Sequence, residues 1–315
     1  MKKVIATINK QRAVILSVII MLAFLCQADV LQIGSIYLEY SGRDAKIAAK
    51  LGNKLSENIS QFQKKIGHYP ELKTHLIICA DKADYQARIN QSSAIMEFSQ
   101  AHYNPRSKQI IIRNPRDGLN YRELNKVVFH EYLHHFVFHY FVNAPLWFHE
   151  GMAVYFSNDF GQGRELNLAA QYFMNNTLPL SEMNIYPANR IEWESFYANS
   201  ALAVKYLVTK RKRGFYRLWE IAEPQRKFNS AFHRSFYQTV KTFSHNYAEY
   251  QSNHFKSMIF ILLSSMVWMI FPFLFFISVI KHKYRERKLL RKMEAADAQQ
   301  PEIIEIEFDI EKTEN

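Results

Sequence analysis

The chain has 315 residues, 48% hydrophobic and 15% aromatic, enough to bury at least one large core. Its net charge of +11 is uneven: 281–292 carry seven basic residues against Glu286, and 293–315 carry eight acids against Lys312. No aromatic–basic nucleic-acid motif accompanies that excess, so no nucleic-acid partner is expected, and Cys26 and Cys79, both in apolar runs, exclude a disulfide framework.

Taken in chain order, Lys2, Lys3, Lys10 and Arg12 precede an uncharged apolar run over 13–26. That run is shorter than the roughly 20 residues a bilayer span needs, and small residues follow near Ala28. Residues 1–28 therefore read as a signal peptide or an N-terminal anchor, with cleavage favoured. Residues 43–66 place Ile47, Leu51, Leu55, Ile59, Phe62 and Ile66 at helical spacing, and Gly67 and Pro70 end the helix. A strand over 72–79 and a short helix over 81–89 follow. The 108–113 strand, KQIIIR, is a candidate sheet edge for pairing with an extended peptide, although Ile110 and Ile112 suit core packing.

A helix over 121–142 carries His130-Glu131-Tyr132-Leu133-His134, an H-E-x-x-H signature. Residues i and i+4 share a helix face, so two imidazoles so spaced can grip one zinc ion. Glu131 lies beside them, within reach of a water on that metal. The helix is apolar all round (Val127, Val128, Phe129, Leu133, Phe136, Val137, Phe138), hence central and buried, and buried His and Glu need partners or a metal. Asn143-Ala144-Pro145 breaks the helix, and a second helix over 147–156 brings Glu150 as a third ligand, leaving a fourth position open.

Other third ligands are weaker. His139 is off the metal face and His135 points roughly 100° from His134. Val137 and Tyr140 stand where a longer H-E-x-x-H-x-x-G-x-x-H motif requires Gly and His. His149 is the serious rival. Glu150 fits better, because Gly151 and Ala153 after it allow two helices to approach closely.

At these residues the chain resembles a known group. The H-E-x-x-H, the P-x-W-x-x-E-G-x-A block from Pro145 to Ala153 and a later Tyr-rich helix look like the peptidase MA-like family of gluzincins, distantly similar to thermolysin. The resemblance spans about residues 36–250. It implies a zincin-type α+β domain, mostly helical with a small sheet, that hydrolyses peptide bonds in a peptide or protein substrate. Zinc would be held by His130, His134 and Glu150, with Glu131 as general base. Tyr197, in the Tyr-rich helix, would donate to the oxyanion. Helices over 166–175, 194–210, 215–221 and 229–250 complete this reading. The FHRSFY stretch, Phe232 to Tyr237, departs from the family pattern, where related chains often turn at Gly.

Residues 257–280 form a second uncharged run, long enough to span a membrane, with Pro272 tolerable inside it. The basic residues that follow place that end in the cytoplasm, so 29–255 is expected on the extracytoplasmic side of the inner or plasma membrane. From Ile304 to Glu311 apolar and acidic residues alternate, so the acidic end of the basic-then-acidic 281–315 tail is either a solvated segment or a strand that adds to a cytoplasmic partner. Two functional classes follow: a membrane-anchored zinc metallopeptidase, and a non-catalytic envelope binding or assembly module on a peptidase-like fold. The presence of Glu131 favours the first. A zincin embedded in the membrane is disfavoured, because the motif lies far from both apolar runs.

Overall fold

The computed structural model describes residues 29–89, 100–118 and 120–297. Residues 1–28, expected to be a signal peptide or an N-terminal anchor, and the alternating tail segment lie outside them. The architecture is α+β, with a small mixed sheet, a set of helices and one long apolar C-terminal helix. Contacts divide the chain into two units, one ending at Tyr250 and the other starting at Gln251.

In the first unit, β1 (Asp29–Ile33) and β2 (Ile36–Tyr40) form an antiparallel hairpin around Gly34, whose φ of 58° suits a residue without a Cβ. Helix α1 (Ala45–Ile66) then crosses back, so that β3 (Thr74–Ile78) pairs parallel to β2. Its Leu51, Leu55, Ile59, Phe62 and Ile66 are buried as the helical spacing requires. Gly67 closes the helix in the left-handed region, its N–H donating to Gln63 O at 2.9 Å.

Helix α2 (Lys82–Ile89) precedes β4 (Ala101–Asn104) and β5 (Gln109–Ile112). The sheet order is β1-β2-β3-β5-β4. The KQIIIR strand is therefore interior, between β3 and β4, with Ile110, Ile111 and Ile112 all buried. Core packing wins there, and the edges of the sheet are β1 and β4.

Helix α3 (Tyr121–Tyr140) opens at Asn120, whose side-chain oxygen accepts from Arg122 N at 2.9 Å. Phe62 of α1 meets Phe129 and Phe136 of α3 edge-to-face, with centroids 6.2 and 5.0 Å away. Each such buried ring contributes on the order of 1.5–3 kcal/mol relative to exposure. The helix stops at Tyr140 rather than at 142, because Phe141–Val142 (β6) pairs with Arg226–Lys227 (β7). Asn143, at φ 56°, then reverses the chain into α4 (Leu146–Phe156), which starts at Pro145 and is buried except at Leu146 and Tyr155.

Helices α5 (Gln162–Phe173), α6 (Arg190–Lys210), α7 (Lys212–Glu220) and α8 (Phe228–Phe236) follow. The expected 229–250 helix is broken at Tyr237, a non-glycine residue at φ 55° that ends α8. The turn expected of a glycine is made here by a tyrosine. Asn199 ties α6 inward: its Nδ2 donates to Leu178 O at 3.0 Å and its Oδ1 accepts from Tyr247 at 2.6 Å.

Helix α9 (Val240–Asp297) begins in the first unit and forms the described part of the second. From Phe260 to Ile280 its large apolar side chains are exposed. It is the one described helix long and apolar enough to cross a membrane. Pro272 lies within it without ending it.

Candidate metal centre

Helix α3 brings His130 and His134 together because they are four residues apart: their Nε2 atoms are 3.1 Å from each other. Glu150 of α4 completes the group. Its Oε2 is 3.5 Å from His130 Nε2, and its Oε1 is 3.6 Å from His134 Nε2. One ligand atom from each of the three lies within 4.8 Å of the others, close enough to hold a metal ion. The imidazoles keep 20% and 12% of their side-chain surface exposed and Glu150 only 2%, so the group opens to one side.

The donor set fits a cation on a further observation. Glu150 Oε2 is buried and accepts no hydrogen bond. A buried carboxylate oxygen whose contact is a 3.5 Å ion pair with His130 and no hydrogen bond is under-satisfied, and a cation between it and the two imidazoles would satisfy it. Burial alone would raise the Glu150 pKa, but His134, His130 and the Tyr186 hydroxyl outweigh it and hold the carboxyl at about 2. Burial pulls His134 down to about 4. Burial also acts to lower His130, but Glu150 and then Glu131 prevail and raise it.

Glu131 lies in the field of His130 and Glu150. Its Oε2 accepts from the backbone N–H of Tyr103 at 2.7 Å, and that is its hydrogen bond among the described residues. The donor is on an edge strand, and because it bonds Glu131 this N–H faces away from β5. Burial raises the Glu131 pKa to about 7, against the opposing His130 charge and the Tyr103 N–H.

The rejected histidines have structural places. His135 is buried, with Nε2 3.1 Å from Lys73 O and Nδ1 3.1 Å from Tyr103 Oη. The carbonyl can only accept, so Nε2 carries the proton and Nδ1 accepts from the tyrosine. His135 thereby fastens α3 to β4. His149 turns onto the Phe138 ring, centroids 4.1 Å apart, and is not in the metal group. Its Nδ1 is buried without a partner, and burial lowers its pKa to about 3.

Two tyrosines border the group. Tyr197 lies in the field of both carboxylates: burial, then Glu150 and Glu131, raise its pKa well above the usual phenol value. Its edge meets Trp193 with centroids 6.0 Å apart. Tyr186 was not marked by any periodicity, since it sits in an irregular stretch before α6. Its hydroxyl donates to Glu150 Oε1.

No family model matches the chain, and no curated protein matches it.

Proposed function

We propose that the domain over 29–255 is a zincin-type, gluzincin-like metallopeptidase anchored by α9. The observation that carries this reading is the convergence of His130, His134 and Glu150 within 4.8 Å, with Glu131 beside them. Two imidazoles and a carboxylate are the ligand set of a catalytic zinc site that keeps a position open. Zinc held there would supply a Lewis acid and water of lowered pKa.

The chain's own groups would do the rest. Glu131 is tethered by Oε2 to Tyr103 N, which leaves Oε1 to take the proton of the attacking water and hand it to the leaving amine. The Tyr197 hydroxyl makes no hydrogen bond among the described residues, which suits a donor that waits for an oxyanion. An extended substrate would lie along the open side of β4, past Glu131. The orientation follows from the basic residues after Ile280: catalytic domain outside, C-terminus in the cytoplasm.

The test is metal analysis of the full chain in detergent, followed by peptide-library cleavage. Stoichiometric zinc is expected, lost in His130→Ala and His134→Ala. Glu131→Gln should keep zinc and abolish turnover, because an amide cannot take the proton. Tyr197→Phe should lower kcat by on the order of 10²-fold with little change in KM. Zinc binding with no cleavage of any peptide would instead support a non-catalytic module.

A further inference from the structure

Tyr186 belongs to no helix or strand, yet its hydroxyl is delivered to a buried carboxylate. Three contacts hold it there. Its ring stacks on Trp193 with centroids 5.6 Å apart at 27°, and packs at 5.8 Å on Phe196. Trp193 Nε1 in turn donates to Pro187 O at 2.8 Å, pinning the chain immediately after Tyr186 to the start of α6. The residue as a whole keeps 39% of its surface, while its hydroxyl reaches the buried Glu150.

The two oxygens of Glu150 are thus unequal. Oε1 accepts from Tyr186, whereas Oε2 is buried, lacks a hydrogen bond and lies 3.5 Å from His130 Nε2. A hydrogen bond to one oxygen fixes the rotation of the carboxylate and draws electron density from that oxygen. Groups of this kind, outside the ligands themselves, set ligand orientation and affinity at metal sites.

We propose that Tyr186 is a positioning residue that makes Glu150 a one-oxygen ligand, presenting Oε2 to the metal and withholding Oε1. The inference rests on the metal reading above and adds a division of labour between two neighbouring phenols. Tyr186 orients the ligand, and Tyr197, whose hydroxyl is uncommitted, is left for the reaction.

The experiment is zinc competition against a chromophoric chelator, with the full chain in detergent, together with the visible absorption spectrum of the cobalt-loaded protein. Tyr186→Phe retains the ring and its stack on Trp193, so the fold is kept. It should weaken zinc about 10- to 100-fold. The cobalt band should also lose intensity, as Oε1 joins the coordination and the site moves from four towards five ligands. Tyr197→Phe should change neither. A Tyr186→Phe protein with parental zinc affinity, or with the parental cobalt spectrum, overturns the proposal while leaving the metal reading intact. A parent chain that binds neither metal overturns both.

Discussion

Gly151 presses its bare Cα against the backbone carbonyl of Ser200, so that α4 and α6 touch without an intervening side chain. A Cβ at Gly151 would overlap Ser200 O and the Val204 methyl, and would stand 2.9 Å from Ser200 C. Backbone cannot rotate aside as a long side chain can, so one methyl must push the helices apart. Gly151→Ala should destabilise the domain by about 1–3 kcal/mol, the usual cost of overpacking. Because Glu150 is the preceding residue, zinc affinity should fall with it. Denaturant unfolding and chelator competition measure the two effects. Parental values in both would show that the helices have slack.

The elevated pKa of Glu131 has a signed consequence for the metal-free protein. Its folded value is about 7, above an ordinary carboxyl, so folding favours the protonated form. Its stabilising contribution is complete below the unfolded value, near 4.5, and is lost as pH rises through 7. Glu131→Gln, which is neutral at every pH, should therefore raise the Tm of the metal-free protein at pH 8 relative to the parent. At pH 4.5 the gap should close. Thermal scans at the two pH values check it, and a gap of equal size at both would remove titration as its source.

Cys79 provides a probe of opening. Its side chain is fully buried, and burial, then Asp84, push its thiol pKa up to about 12 despite Arg88. Only the thiolate reacts readily, so alkylation should be negligible in the folded protein at pH 8 and rapid in denaturant. Mass spectrometry of iodoacetamide-treated protein in a Cys26→Ser background reads this directly. Fast labelling of the native form would mean that the sheet opens locally.

Topology can be settled by fusion reporters. A cytoplasm-dependent reporter placed after Asn315 of the full chain should work. The same reporter after Phe255, in a chain that lacks the later apolar segment, should be silent. The reverse pattern would place the metal group in the cytoplasm.

The metal group was legible because its geometry is local. His130 and His134 meet through helical periodicity alone, and Asn143-Ala144-Pro145 announces the break that lets Glu150 fold back. Features fixed by distant contacts were not legible. β4 has four residues, too few to show a period, and its importance comes from Glu131, 28 positions away from Tyr103. The β1–β2 hairpin starts at Asp29, directly after the apolar N-terminal run and its short polar tail, and its exposed first strand lacks a clean alternation. Tyr237 takes a left-handed conformation that sequence assigns to glycine, and so α8 and α9 read as one helix. Tyr186 is placed by stacking on Trp193, which no spacing rule describes.

The hydrogen bond from Tyr103 N to Glu131 also bears on how the molecule behaves in company. An uncovered sheet edge is a template for strands from other copies, and natural proteins take steps to blunt it. Here an outward N–H of β4 is already occupied by the carboxylate from α3. Glutamine at 131 can keep that bond through its amide oxygen, but alanine cannot. A Glu131→Ala chain would bare a main-chain donor on that edge and should self-associate as concentration rises. Glu131→Gln should stay monodisperse, and light scattering over a concentration series tells the two apart.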